Sequence, residues 1–137
     1  MKEPLFYIID DDKANNTLTR IMLEEAGLNN LRQFRMAQEA LDELKRVSDG
    51  KMTEEYPTVI LLDINMPAMD GWEFMNQFRT FPAEFNSLPK IYLLTSSDYP
   101  GDIAKAKNYP EVLDFLGKPI SEETAQKLKD NYLTSQS

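Results

Sequence analysis

Five short apolar runs, each closing on polar residues and each followed by a stretch of helical spacing, restrict this chain more than any other feature. They lie at residues 5–9, 31–34, 59–62, 91–94 and 112–116. The runs at Val59-Ile60-Leu61-Leu62 and 5–9 are continuously apolar rather than alternating, the pattern of strands covered on both faces. Between them, Ala14, Leu18, Ile21, Met22 and Ala26 fall on one helical face before Gly27, and Ala37, Ala40, Leu41, Leu44 and Val47 form the next stripe. Trp72, Met75 and Phe78 repeat at the same spacing. Ile103, Ala104 and Ala106 make only a short helix, boxed in by Pro100 and Pro110. Ser121 caps a last helix carrying Ala125, Leu128 and Tyr132, with Glu122 and Glu123 in the first turn where the helix dipole favours anions. The expected fold is α/β: one domain over residues 1–137, with a parallel five-stranded sheet sandwiched by helices. The connections at 48–57 and 81–90 are expected to be surface loops.

Composition removes whole classes of chemistry. With 15 Lys+Arg against 23 Asp+Glu the chain carries −8, which excludes an electrostatically driven nucleic-acid binder or an anionic-membrane anchor. It has no cysteine and no histidine, so thiolate and imidazole metal sites, a Ser-His-Asp triad and a phospho-histidine carrier are all excluded. The five apolar residues before Asp10 are too few for a secretory segment, and no run approaches the ~20 residues that span a bilayer. A cytoplasmic protein is expected.

The polar residues that close the strands are the candidate site. In open parallel sheets, ligands bind beyond the carboxyl ends of the strands where strand order reverses. Asp10, Asp11 and Asp12 follow the first strand, Asp63 the third, Thr95, Ser96 and Ser97 the fourth, and Lys118 the fifth. In the order 2-1-3-4-5 the first and third strands are neighbours, which brings Asp10, Asp11 and Asp63 together. Carboxylates so close cannot all stay ionised without a cation, and an all-oxygen cluster suits a hard ion, Mg²⁺ above all. Mg²⁺ with one hydroxyl and one ammonium meets the needs of a phosphoryl group, and Asp63, alone on the central strand, is the natural carboxylate nucleophile.

Ile8-Ile9-Asp10-Asp11-Asp12, Leu62-Asp63-Ile64-Asn65-Met66-Pro67-Ala68-Met69-Asp70-Gly71, Leu94-Thr95-Ser96 and Gly117-Lys118-Pro119 together resemble the receiver domain of two-component response regulators. The resemblance covers essentially the whole chain and implies a flavodoxin-like (βα)5 fold. It implies Asp63 as phospho-acceptor, Asp11 as direct Mg²⁺ ligand, Asp10 acting mainly through a metal-bound water, and the Asn65 backbone carbonyl as third protein ligand. It further implies Thr95 as the hydroxyl that contacts the phosphoryl group, Lys118 as the ammonium, and Phe115 as the aromatic that turns inward on activation. By the same resemblance Asn65 and Ser97 occupy the variable positions that in the family tune phosphorylation and dephosphorylation rates, and the Lys118–Pro119 peptide is expected to be cis. The implied partners are a sensor histidine kinase or histidine phosphotransfer protein and an unknown downstream protein, with no nucleic acid and no membrane. The expected function is a phosphorylation-controlled switch, not a turnover enzyme beyond its own phosphorylation and dephosphorylation. Because only Leu133 to Ser137 follow the last helix, a stand-alone receiver is expected.

Two alternatives compete with this reading. An Mg²⁺-dependent aspartyl-phosphate phosphatase of the haloacid-dehalogenase type needs a second aspartate two residues after the nucleophile, where this chain has Asn65. A degenerate receiver acting as a scaffold would lack acceptor-site residues that are present here. Several residues carry plainer expectations: Asp12 as a helix cap, Met66 and Met69 as packing, Gly71 as backbone geometry, and Trp72, Tyr99 and Tyr109 with no chemistry. Lys105-Ala106-Lys107-Asn108-Tyr109-Pro110-Glu111 replaces the small-residue stretch usual in the family, and Pro110 interrupts helix there. Phosphorylation is expected to be reported on the face formed by the short helix before Pro110, the fifth strand and the last helix, or else on the first helix near Asn15 and Asn16.

Overall fold

β1 (Phe6–Ile9) and β3 (Val59–Asp63) are buried at every residue, so the strands with the longest apolar runs form the middle of the sheet. The computed structural model describes residues 3–96 and 100–133. β2 (Leu31–Phe34), β4 (Lys90–Thr95) and β5 (Val112–Gly117) complete a five-stranded sheet of order β2-β1-β3-β4-β5, parallel throughout. Each strand divides its side chains between two cores, as the two-residue repeat of a strand requires. Tyr7, Ile9, Ile60 and Leu62 face α2 (Ala37–Asp49) and α3 (Gly71–Phe78). Phe6, Ile8, Val59 and Leu61 face α1 (Lys13–Glu25) and α6 (Glu122–Tyr132). The α2 stripe from Ala37 to Val47 is buried as expected, as are Trp72, Met75 and Phe78. α5 (Pro100–Ala106) is only seven residues long.

Helix starts follow from side-chain caps. Asp12 accepts from Asn15 N at 3.1 Å, Asp70 and Glu73 form a reciprocal capping box, and Ser121 accepts from Thr124 N at 3.0 Å.

Three expectations are corrected. The connections at 48–57 and 81–90 are not plain surface loops. The first begins inside α2 and carries a 3₁₀ turn at Thr53–Glu55, and the second carries the short helix α4 (Ala83–Asn86). Tyr56 and Phe85, both buried, meet from these two segments with ring centroids 5.5 Å apart, closing the core at the end of the sheet away from the strand-end aspartates. Apolar anchors inside polar stretches make packed segments of them. The third correction concerns α1. Its deepest side chains are Asn16, Thr19 and Leu23, whereas Ala14 is exposed, Leu18 is 40% exposed, and Met22 and Ala26 are partly buried. The helix is rolled so that Asn16 faces the ends of β1 and β2, where strand-end carbonyls need donors.

Candidate functional site

Strand register delivers the acidic residues to one edge. Ile9 pairs with Leu62, so the next residues, Asp10 and Asp63, emerge side by side from β1 and β3. Further along the same edge, Asp63 pairs with Leu94, and Thr95 with Gly117, one residue before Lys118. One carboxylate oxygen from each of Asp10, Asp11 and Asp63 lies within 4.8 Å of the others. Asp10 and Asp63 are essentially fully buried, and Asp11 is partly exposed at the mouth.

The orientation of each of the two buried carboxylates is fixed by a backbone amide. Asp10 Oδ1 accepts from Asp12 N at 2.9 Å and Asp63 Oδ1 from Asn65 N at 3.3 Å. That leaves both Oδ2 atoms buried and without a hydrogen bond of good geometry. They meet the Lys118 ammonium, 3.1 Å from Asp63 Oδ2 and 3.5 Å from Asp10 Oδ2. One ammonium thus faces two carboxylates. Burial first, then the Asp10 charge, push the Asp63 carboxyl up to about 7, against the pull of Lys118. Burial works to discharge Lys118, but Asp63 and Asp10 together outweigh it and hold its pKa above the ordinary value. The pocket is short of positive charge, and its orphaned oxygens with an all-oxygen donor set fit a hard cation.

Further features shape the pocket. Lys118 N donates to the Thr95 carbonyl at 3.0 Å, and the Lys118–Pro119 peptide is cis as expected. Thr95 is 7% exposed at the end of β4. α3 starts against the backbone of Asp63: a Cβ on Gly71 would stand 2.9 Å from the Asp63 carbonyl oxygen, so no larger residue fits. In the loop between, Met69 N donates to the Pro67 carbonyl at 2.7 Å across Ala68, whose φ of 67° lies in the left-handed region.

The structure therefore brings together Asp10, Asp11, Asp63 and Lys118, with Thr95 at the neighbouring strand end and Asn65 exposed on the loop that follows Asp63. Phe115 stands apart, three residues before Lys118 on β5, half-buried against the core on the α2–α3 side. Ser97 and Tyr99 lie outside the described residues. Two supports escaped the sequence reading. Arg35 Nε donates to the Asp11 carbonyl at 3.0 Å, and Asn16 binds the Asp10 carbonyl at 3.0 Å. The signal for Asn16 was present, an amide where a helix facing a sheet should be apolar. Arg35 left no signal, because an exposed arginine after an edge strand is ordinary. No described helix is long and apolar enough to cross a membrane.

Comparison with known proteins agrees with this fold. Over 138 aligned residues the chain is 29% identical to response regulator Rre1 of Synechocystis, covering 99% of this chain and 54% of that protein. It is 30% identical to the DNA-binding transcriptional regulator NtrC of Klebsiella pneumoniae, covering 98% of this chain and 26% of that one. The chain thus spans about half or less of these relatives. A crystal structure of a two-component response regulator from Cytophaga hutchinsonii superposes with a TM-score of 0.83 at 25% identity, covering 98% of this chain and 99% of the other. The family pattern described as "Response regulator receiver domain" matches residues 6–129, and the chain belongs to that family.

Proposed function

We propose that this receiver is a phosphorylation-controlled switch that accepts a phosphoryl group on Asp63 from a partner's phospho-histidine. The observation that carries the reading is the buried, orphaned Asp63 Oδ2, 3.1 Å from a Lys118 ammonium that it shares with Asp10, at the edge where β1 and β3 emerge. In the proposed step, a carboxylate oxygen of Asp63 attacks phosphorus and the P–N bond to the donor imidazole breaks. Its electron pair leaves with that nitrogen, which takes up a proton. Lys118 offsets charge on the phosphoryl oxygens, and the Thr95 hydroxyl donates to one of them. Asp10, Asp11, Asp63 and the Asn65 carbonyl would hold Mg²⁺, which when bound offsets both the carboxylate repulsion and the phosphoryl charge. Donors of the phosphoryl group would be a sensor histidine kinase or a histidine phosphotransfer protein. Output would pass through contacts with a downstream protein, reported on the face of α5, β5 and α6 by inward movement of Phe115.

Intact-mass measurement after incubation with acetyl phosphate tests the reading. A single phosphoryl gain is expected with Mg²⁺ and none with EDTA. Asp11→Asn slows the gain, and steady hydrolysis of phosphate esters would favour a phosphatase instead.

A further inference from the structure

α1 offers an asparagine, not an apolar side chain, to the junction where β1 and β2 end. Asn16 is 2% exposed and both ends of its amide are hydrogen-bonded. Its Nδ2 donates to the carbonyls of Asp10 and Phe34, each at 3.0 Å, and its Oδ1 accepts from Gln33 Nε2 at 2.7 Å. Because Gln33 takes the oxygen, the nitrogen is the end that faces the two carbonyls. Among the described residues no other group donates to the Asp10 carbonyl. Asp10 is therefore held on every side but one. Its N–H goes to the Phe34 carbonyl at 3.0 Å, its Oδ1 takes Asp12 N, its carbonyl takes Asn16, and Oδ2 alone faces the pocket.

The Asp10 carbonyl belongs to the planar peptide that leads into Asp11. Fixing that oxygen fixes the plane, and with it the direction in which the next residue leaves the strand. We propose that Asn16 is a positioning residue for the acidic pair, aiming Asp10 and Asp11 at a common cation. This inference rests on the reading that the pocket takes Mg²⁺. A residue that merely ties α1 to the sheet would change stability and leave metal affinity alone. A positioning residue changes the affinity itself, because the outer partners of metal ligands set ligand orientation.

Isothermal titration of the intact chain with Mg²⁺ separates the two roles, with folding of each variant checked by circular dichroism. Asn16→Ala should weaken Mg²⁺ binding about tenfold, the low end of the losses seen for such outer partners. Gln33→Ala, which frees the amide to turn, should weaken it by a smaller factor. Thr19→Ala removes a buried side chain from the same face of α1 that makes no hydrogen bond to the acidic cluster, and should leave affinity within about twofold, since it is not an outer partner of a ligand. An Asn16→Ala chain that binds as tightly as its parent overturns the proposal, and so does a Thr19→Ala chain weakened as much as Asn16→Ala. Should Asn16→Ala fail to fold, unchanged affinity in Gln33→Ala overturns it equally. No Mg²⁺ uptake by the unsubstituted chain would instead overturn the underlying reading.

Discussion

Replacing Asp63 with asparagine should make the metal-free protein more stable. Asp63 is 2% exposed and faces Asp10 with only the Lys118 ammonium between them, so its charged form is disfavoured in the folded state. Its carboxyl is pushed from 3.8 up to about 7. A raised carboxyl pKa means that the folded state holds the proton more tightly than the unfolded chain. Stability is therefore lost as pH rises from about 4 to about 7, and the loss is complete at pH 8. A shift of roughly 3 units corresponds to about 4 kcal/mol at 1.36 kcal/mol per unit, an upper bound for this group. The asparagine forgoes part of the Lys118 attraction, which reduces the expected gain to about 1–3 kcal/mol. Urea denaturation at pH 8 in EDTA measures it: Asp63→Asn should unfold at higher urea with an unchanged slope. The difference should disappear below about pH 3, where Asp63 is protonated in both states. An Asp63→Asn chain no more stable than its parent at pH 8 would refute the charge argument.

Three other consequences are open to measurement. Ala68 holds φ 67° without glycine's freedom, so Ala68→Gly should raise stability by about 0.5–1 kcal/mol by thermal unfolding, and a loss would contradict the strain argument. Arg79 joins α3 to the segment before β5: it pairs with Glu111 at 2.7 Å, donates to the Asn108 carbonyl, and lies 4.3 Å from the Tyr109 ring centroid. Arg79→Ala should speed amide exchange around residues 107–112 while costing only about 1 kcal/mol globally, because the pair is partly exposed. Beryllofluoride with Mg²⁺ should shift backbone NMR resonances across residues 100–118 as well as around Asp63. A response confined to Asp63 would place the output elsewhere.

The sheet was legible because burial on both faces leaves a continuous apolar run, and β1, β3 and β4 carry such runs. The acidic edge was legible for a related reason: a buried strand that stops on a carboxylate has few explanations other than a site. What escaped were positions where a polar group answers another polar group. Periodicity ranks Leu18 above Asn16, yet Asn16 turns inward because the Asp10 and Phe34 carbonyls need donors, a demand visible only once β1 and β2 are paired. Tyr56 and Phe85 escaped because two anchors distant in sequence make a packed corner only by meeting. Gly71 was recognised as a backbone position, but the reason, contact with the Asp63 carbonyl, is tertiary.

The central claim is that Asp63, among three clustered aspartates, carries the phosphoryl group. Borohydride reduction after phosphorylation with acetyl phosphate and Mg²⁺ converts a phospho-aspartate to homoserine and marks the residue for peptide mass mapping. The account predicts homoserine at position 63 alone, and no conversion anywhere in Asp63→Asn. Homoserine at position 10 or 11, or an unmarked chain after a full phosphoryl mass gain, would contradict it.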